Sequence, residues 1–314
     1  MQELAIETSD LTRHFGRVVA VNQLSLHVPT GSIYGFLGPN GAGKTTTIRM
    51  LLGLIRPSDG IVCLLGAPLT RTNRSQLAHV GALVETPSLY PHLTGYENLQ
   101  VTQRLLDSPH AQIQRALEIV QLAGDAQRCI RQYSLGMRQR LGLALALLRE
   151  PSLLILDEPS NGLDPAGIRD MRALIQRLAT TLHITVFLSS HLLSEVEQIA
   201  THVGIINHGQ LLFEGTLPDL RQHQTDCVCV VVDQPQVALG ILTEAGWQAE
   251  ITSDIAYGHN VVHVTLHEPA VVAAINALLV QHGLAVYELR REQPSLEDIF
   301  LQLTGDHSPE RNAA

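Results

Sequence analysis

The segment that most restricts what this chain can be is Gly38-Pro39-Asn40-Gly41-Ala42-Gly43-Lys44-Thr45, which fits the pattern G-x-x-x-x-G-K-[ST]. It follows a short apolar run, Ile33–Leu37, and precedes a helical pattern over Thr45–Leu54 that the turn at 56–60 (RPSDG) ends. The glycines open backbone angles closed to other residues, so successive N–H groups can converge on one point. With the free N–H groups of the following helix they form a cradle for phosphate oxygens, continuing to Thr46. In that cradle Lys44 reaches the β- and γ-phosphates and the Thr45 hydroxyl ligates Mg²⁺.

A second element supplies the complementary charge. Leu153-Leu154-Ile155-Leu156 is a continuous apolar run, as expected of a strand buried on both faces, and it ends in Asp157-Glu158. Ligands collect at the carboxyl ends of strands in open parallel sheets. Asp157 is therefore expected to hold Mg²⁺ through water, and Glu158 to orient and deprotonate an attacking water. Binding a nucleotide needs only Lys44, Thr45 and Asp157; the neighbouring Glu158 points to hydrolysis.

Composition narrows the class. The chain has 314 residues, 45% hydrophobic and only 4% aromatic, enough for an aliphatic core and a second domain. Its 21 basic and 30 acidic residues give a net charge of −9, and no basic block favours nucleic acid. The opening MQELAIETSD is acidic and polar, unlike a secretory leader. Apolar runs such as Leu143–Leu148 fall far short of the ~18 residues of a membrane span. Cys63, Cys129, Cys227 and Cys229 form no disulfide framework, and the last two are expected to pack on one face of a strand. His263 and His267 share a strand face without further ligands, so no metal site is expected there.

Strands and helices alternate from Ile33 to about 220, with a helical stretch at Met137–Leu148, a helix at Met171–Thr180, a strand at Ile184–Ser189 and a helix at Leu193–Ala200. That alternation predicts an α/β fold around a parallel sheet. Pro218–Asp226 reads as a polar linker. After it come strand 227–232, helix 237–245, strands 247–252 and 261–266, helix 270–282 and strand 284–290, a β-α-β-β-α-β order predicting a small ferredoxin-like α+β module. Ser295-Leu296-Glu297-Asp298 reads as a capping box opening a last helix to Leu303, and 306–314 as a disordered tail.

With these residues in view, the chain resembles the ATP-binding cassette (ABC) family over residues 1–220. Phe15 sits where the family stacks an aromatic on adenine. Tyr133-Ser134-Leu135-Gly136-Met137 sits at the family signature, LLILDEP is the acidic strand, Ser160-Asn161-Gly162-Leu163-Asp164 resembles the loop that crosses between two cassettes, and His191 sits at the switch histidine that senses the γ-phosphate. The resemblance implies a P-loop NTPase: a parallel core sheet, an antiparallel β subdomain, a helical subdomain over about 87–150, and the accessory module at 221–305. In the signature, Leu135 and Met137 replace the usual glycine and glutamine, while Ser134 and Gly136 remain. Glu85, in Val84-Glu85-Thr86, stands where the family has a glutamine that contacts Mg²⁺. These departures, with PSLYPHLTGYENL, resemble bacitracin- and lantibiotic-resistance exporter cassettes; SLEDIFLQLTG resembles the ending of cassettes whose permease is a separate chain.

The resemblance implies ATP and Mg²⁺ as cofactors and hydrolysis by Glu158, His191 and Lys44. It also implies a head-to-tail homodimer, in which Ser134 and Gly136 of one copy cover the ATP of the other, and a separate membrane permease that holds the protein peripherally at the cytoplasmic face. The 87–99 stretch would line the groove receiving the permease. A soluble cassette acting on ribosomes or DNA is the alternative; a small-molecule kinase would need a lid and acceptor pocket in place of the signature and switch histidine.

Overall fold

The computed structural model describes residues 3–222, 227–254, 259–265, 271–292 and 300. The strands run β1 (Leu4–Phe15), β2 (Val18–Leu24), β3 (His27–Pro29), β4 (Ile33–Leu37), β5 (Asp59–Leu64), β6 (Ala67–Pro68), β7 (Val80–Leu83), β8 (Leu153–Asp157), β9 (Thr185–Ser190), β10 (His202–Asn207) and β11 (Gln210–Thr216). The helices among them are α1 (Lys44–Leu51), α2 (Gly95–Leu106), α3 (Ala111–Ile119), α4 (Leu135–Leu147), α5 (Pro165–Leu182), α6 (Leu193–Val196) and α7 (Leu217–Gln222). From β12 (Cys227–Val232) the chain continues through α8 (Pro235–Glu244), β13 (Ala249–Asp254), β14 (His259–Thr265), α9 (Val271–Gln281) and β15 (Val286–Glu292). It divides into two compact units at Leu217/Pro218.

In the first unit a six-stranded sheet has the order β11-β10-β4-β9-β8-β7, parallel except for the edge strand β11. Every residue of β4, β8 and β9 is buried, which is why Ile33–Leu37, Leu153–Leu156 and the centre of β9 read as apolar stretches. Tyr34 and Phe36 pack on Phe187 with ring centroids 5.5 and 5.3 Å apart. The Tyr34 hydroxyl donates to Glu214 at 2.8 Å, and burial, more than the nearby carboxylate, pushes its pKa well up. A second, antiparallel sheet is built on β1, which pairs with β2, β3 and β5. Its inner residues Ile6, Leu11, Leu24 and Leu64 join Tyr34, Phe36 and Ile48 in one core.

The helices α2, α3 and α4 pack on one another, and α4 also on β7. Thr94 and Glu97 form a reciprocal capping box at the start of α2, each side chain taking the other's N–H. α4 is capped by Ser134, whose Oγ accepts from Met137 N–H at 3.2 Å.

In the second unit four antiparallel strands lie in the order β13-β14-β12-β15, the arrangement expected of a β-α-β-β-α-β module. Val228, Val230, Val232, Val262 and Val264 form one face, packed against Ala238 and Leu242 of α8 and Ile275 and Leu279 of α9. Cys229, Val231 and Val261 are buried together in a separate cluster. Cys227 Sγ lies 4.0 Å from His263 Nδ1, and among the described residues no group of three or more metal-ligating side chains converges.

Three boundaries differ from the sequence expectations. α5 begins at Pro165, not Met171, because Asp164 accepts from Gly167 N–H at 2.9 Å and Pro165 occupies the first turn. α6 stops at Val196. The stretch expected to be a linker begins as α7, anchored by the fully buried Leu220. The expected helix at 295–303 and the tail lie outside the described residues, apart from Phe300. Among the described residues no helix is long and apolar enough to cross a membrane.

Candidate active site

The loop between β4 and α1 curls because two of its glycines take left-handed angles, Gly41 at φ 82° and Gly43 at φ 111°. A Cβ on Gly43 would also meet the Ala20 carbonyl oxygen at 2.6 Å, so no other residue fits there. Gly43 caps α1 without any side-chain hydrogen bond, leaving the first N–H groups of the helix free for an anion. Lys44 is buried. Its ammonium donates back to the carbonyls of Gly38 (2.7 Å) and Pro39 (3.2 Å), spanning the loop from inside.

β8 delivers the carboxylates. Asp157 is buried and accepts from Thr45 Oγ1 at 2.9 Å and from Ser189 Oγ at 2.6 Å. Ser189 stands opposite Asp157 in the β8–β9 register, and its Oγ also accepts from Glu158 N–H at 3.0 Å. That hydroxyl secures the turn where Glu158 adopts φ 50°, a left-handed angle unusual for a non-glycine residue. The Glu158 carboxylate lies between Lys44 Nζ at 3.3 Å and His191 Nδ1 at 2.5 Å. A neutral His191 that donates through Nδ1 has only an acceptor at Nε2, so it can serve Glu158 and a phosphate oxygen together only when protonated.

An open pocket of 760 Å³ joins these groups. It is lined by Asn40, Gly41, Gly43, Lys44, Thr45 and Thr46 of the loop and helix start, by Asp157, Glu158 and His191, and by Glu85. The volume suits a nucleotide. Gly38, Pro39 and Ala42 shape the loop without lining the pocket. Glu85, expected at a metal ion, lines the pocket and pairs with Arg49 of α1, and both side chains are well exposed. Phe15 ends β1 away from the pocket wall, half exposed, with the Arg13 guanidinium 4.6 Å from its ring centre. Ser134 and Gly136 do not line the pocket; Ser134 is exposed.

Three residues here escape a sequence reading. Ser189 was visible only as a polar ending to an apolar run. Gln139 of α4 lines the pocket. Glu195 lines a smaller cavity of 150 Å³ behind Glu158 and His191. Burial raises the Glu195 carboxyl pKa, against the pull of His191 and Arg172 and a hydrogen bond from Ser160.

A glycine nest, a buried lysine inside it and a hydroxyl–carboxylate pair at the end of a parallel strand define a nucleoside triphosphatase. Comparison with known proteins carries this further. The family model described as ABC transporter matches residues 21–161. The chain is 40% identical over 301 residues to the bacitracin transport ATP-binding protein BcrA of Bacillus licheniformis, covering 96% of this chain and 97% of that protein. It is 37% identical over 209 residues to the lantibiotic transport ATP-binding protein SrtF of Streptococcus pyogenes, covering 67% of this chain and 90% of the relative. An ATP-binding cassette solved as a dimer in a post-hydrolysis state with ADP and Pi superposes with a TM-score of 0.60 at 20% identity, over 68% of this chain and 98% of that one. The protein belongs to the ABC transporter family, as an ATP-binding, ATP-hydrolysing subunit.

Proposed function

We propose that this chain is the ATPase subunit of an exporter whose permease is a separate membrane protein, and that it works as a homodimer closed around two ATP. The observation that carries this is the division of its groups. Lys44, Thr45, Asp157, Glu158 and His191 surround one pocket, while Ser134 and Gly136 lie outside it at the N-terminus of α4. A site lacking part of its phosphate contacts within one chain can be completed by a second copy, with Ser134 and the N–H groups at that helix start facing the γ-phosphate. The likeness to BcrA over almost the whole chain supports a peptide antibiotic such as bacitracin as cargo and a peripheral position at the cytoplasmic side of the permease.

Within the pocket, Lys44 and the loop amides bind the phosphates. Thr45 Oγ1 and Asp157 Oδ2, 2.9 Å apart, offer oxygen donors beside the phosphate cradle, which suits Mg²⁺, an ion that takes few protein ligands and keeps several waters. When bound, that ion neutralises phosphate charge. Glu158 accepts the proton of the attacking water, and His191 orients Glu158. Phe15 offers a face to the adenine, backed on its other side by Arg13.

Two measurements test this reading. Ser134→Arg should leave nucleotide binding by the isolated chain within about twofold, since its own pocket is untouched, but lower turnover ~100-fold through loss of an oxyanion contact worth that much. Undiminished turnover would mean that the site closes without Ser134. Phe15→Ala should weaken ATP binding about 5- to 100-fold, the range of base–aromatic stacking, with little change in kcat; equal affinity would remove Phe15 from the base site.

A further inference from the structure

Three carboxylates line the nucleotide pocket, Glu85, Asp157 and Glu158, against one ammonium, Lys44, and one imidazole, His191. A nucleoside triphosphate remains an anion even with Mg²⁺ bound, so each carboxylate opposes its entry unless something answers its charge. Two are answered within the pocket. Asp157 accepts from the Thr45 and Ser189 hydroxyls, and Glu158 sits between Lys44 and His191. Glu85 is answered from outside: Arg49, which does not line the pocket, donates through Nη2 to Glu85 Oε1.

The pair joins two parts of the site that are distant in sequence. Arg49 lies in the last turn of α1, the helix that begins at the phosphate loop, where a cation suits the negative end of the helix. Glu85 stands two residues past β7 at φ 59°, a left-handed angle that glutamate seldom takes. With both side chains well exposed, the ion pair adds little to the stability of the fold. Its effect on a charged ligand is a separate matter. Coulombic repulsion needs no contact; it acts across the pocket and is screened by salt, over ~10 Å at 0.1 M and ~3 Å at 1 M.

We infer that Arg49 is a positioning residue for nucleotide binding: by pairing with Glu85 it cancels the charge of that carboxylate and holds it at the pocket edge, so that phosphates reach their cradle without being repelled from that side. Arg49 acts through Glu85 and touches no nucleotide itself. The inference rests on the reading of the pocket as an ATP site.

The test uses the full chain and the β,γ-imido analogue of ATP with Mg²⁺, read by calorimetric titration at low (~0.05 M) and high (~0.5 M) salt. Arg49→Gln keeps most of the side chain and removes its charge. At low salt it should weaken binding roughly fivefold, the size of effect that one uncovered charge has on a multivalent anion across ~8 Å of well-solvated space. Arg49→Lys, which restores the charge, should stay within about twofold of wild type, and at high salt the loss in Arg49→Gln should shrink below about twofold. In a Glu85→Gln background, which has no charge to cancel, Arg49→Gln should change affinity by less than about twofold at either salt. Arg49→Gln should melt within ~2 °C of wild type.

Unchanged affinity of Arg49→Gln at low salt would overturn the inference. A loss that persists at high salt, or in the Glu85→Gln background, would overturn it too, because Arg49 would then act on α1 or on the nucleotide directly. A fall in melting temperature of more than ~5 °C would make Arg49 a residue that holds the fold and would equally sink the inference. If wild type fails to bind the analogue, the reading of the pocket falls, and this inference with it; where wild type binds, every other result bears on Arg49 alone.

Discussion

Glu158→Gln should bind ATP as tightly as wild type, or more tightly, yet turn it over ~10²–10⁴ times more slowly. The substitution keeps shape and hydrogen-bonding reach. It leaves untouched the Ser189 hydrogen bond to the residue 158 amide that holds the turn at φ 50°. What it removes is a basic oxygen and one negative charge, the latter 3.3 Å from Lys44. Losing the charge relieves repulsion against the incoming phosphates; losing the base leaves the attacking water without a proton acceptor. ATP and Mg²⁺ should then hold two copies together, because hydrolysis no longer releases them, and light scattering on the variant should report twice the monomer mass. A near-normal rate would strike Glu158 from the mechanism. A slow variant that stays monomeric would leave the base in place and remove the soluble dimer.

How far such residues can be read from sequence depends on whether their signal is local. The strand–loop–helix passage from Ile33 to Leu51 is legible because apolar continuity, left-handed glycines and Lys44-Thr45 all lie within one stretch of chain. The Asp157-Glu158 ending of β8 is legible for the same reason, and so is the order of the second unit's strands and helices. Ser189 was not. Its hydroxyl matters because the β8–β9 register puts it opposite Asp157, 32 residues away, and no local pattern encodes that pairing. The early start of α5 was lost because Pro165-Ala166-Gly167 resembles a turn until the Asp164 cap is seen. α7 was hidden because its buried residue, Leu220, gains its meaning only from tertiary burial. The partner of Glu85 shows the same limit: nothing in the sequence around it says that Arg49 of α1 comes to pair with its carboxylate at the pocket edge.

The unliganded geometry also bears on order of events. Glu158 is held by a cation on each side when His191 is protonated, Lys44 at 3.3 Å and the imidazole at 2.5 Å. Phosphates entering the loop compete for the Lys44 ammonium, since it is the cation inside their cradle. Drawing Lys44 away weakens its hold on Glu158 and leaves that carboxylate free to meet the attacking water. Substrate binding thus releases the group that the next step uses, and Lys44 has two tasks, to bind phosphate and to hold Glu158 until phosphate arrives.

Lys44→Ala separates those tasks. Binding should weaken ~10- to 100-fold, the loss expected for charge-assisted hydrogen bonds to an anion in a largely buried place. The fold should survive, because the loop's left-handed glycines and the Thr45–Asp157–Ser189 hydrogen bonds do not depend on the ammonium. Turnover by the variant alone should be lost even at ATP concentrations that fill the pocket, since neither Mg²⁺ at Thr45 and Asp157 nor His191 takes the place of the ammonium inside the loop. Mixed with Ser134→Arg, however, it should regain turnover that neither variant has alone. In a mixed dimer one pocket combines the intact Lys44 of the Ser134→Arg copy with the intact Ser134 of the Lys44→Ala copy. A mixture as inactive as its parts, with mixed dimers demonstrated by differential tagging, would mean that the two copies do not share a site. Wild-type affinity in Lys44→Ala would mean that the loop amides alone hold the phosphates and that the ammonium belongs to Glu158.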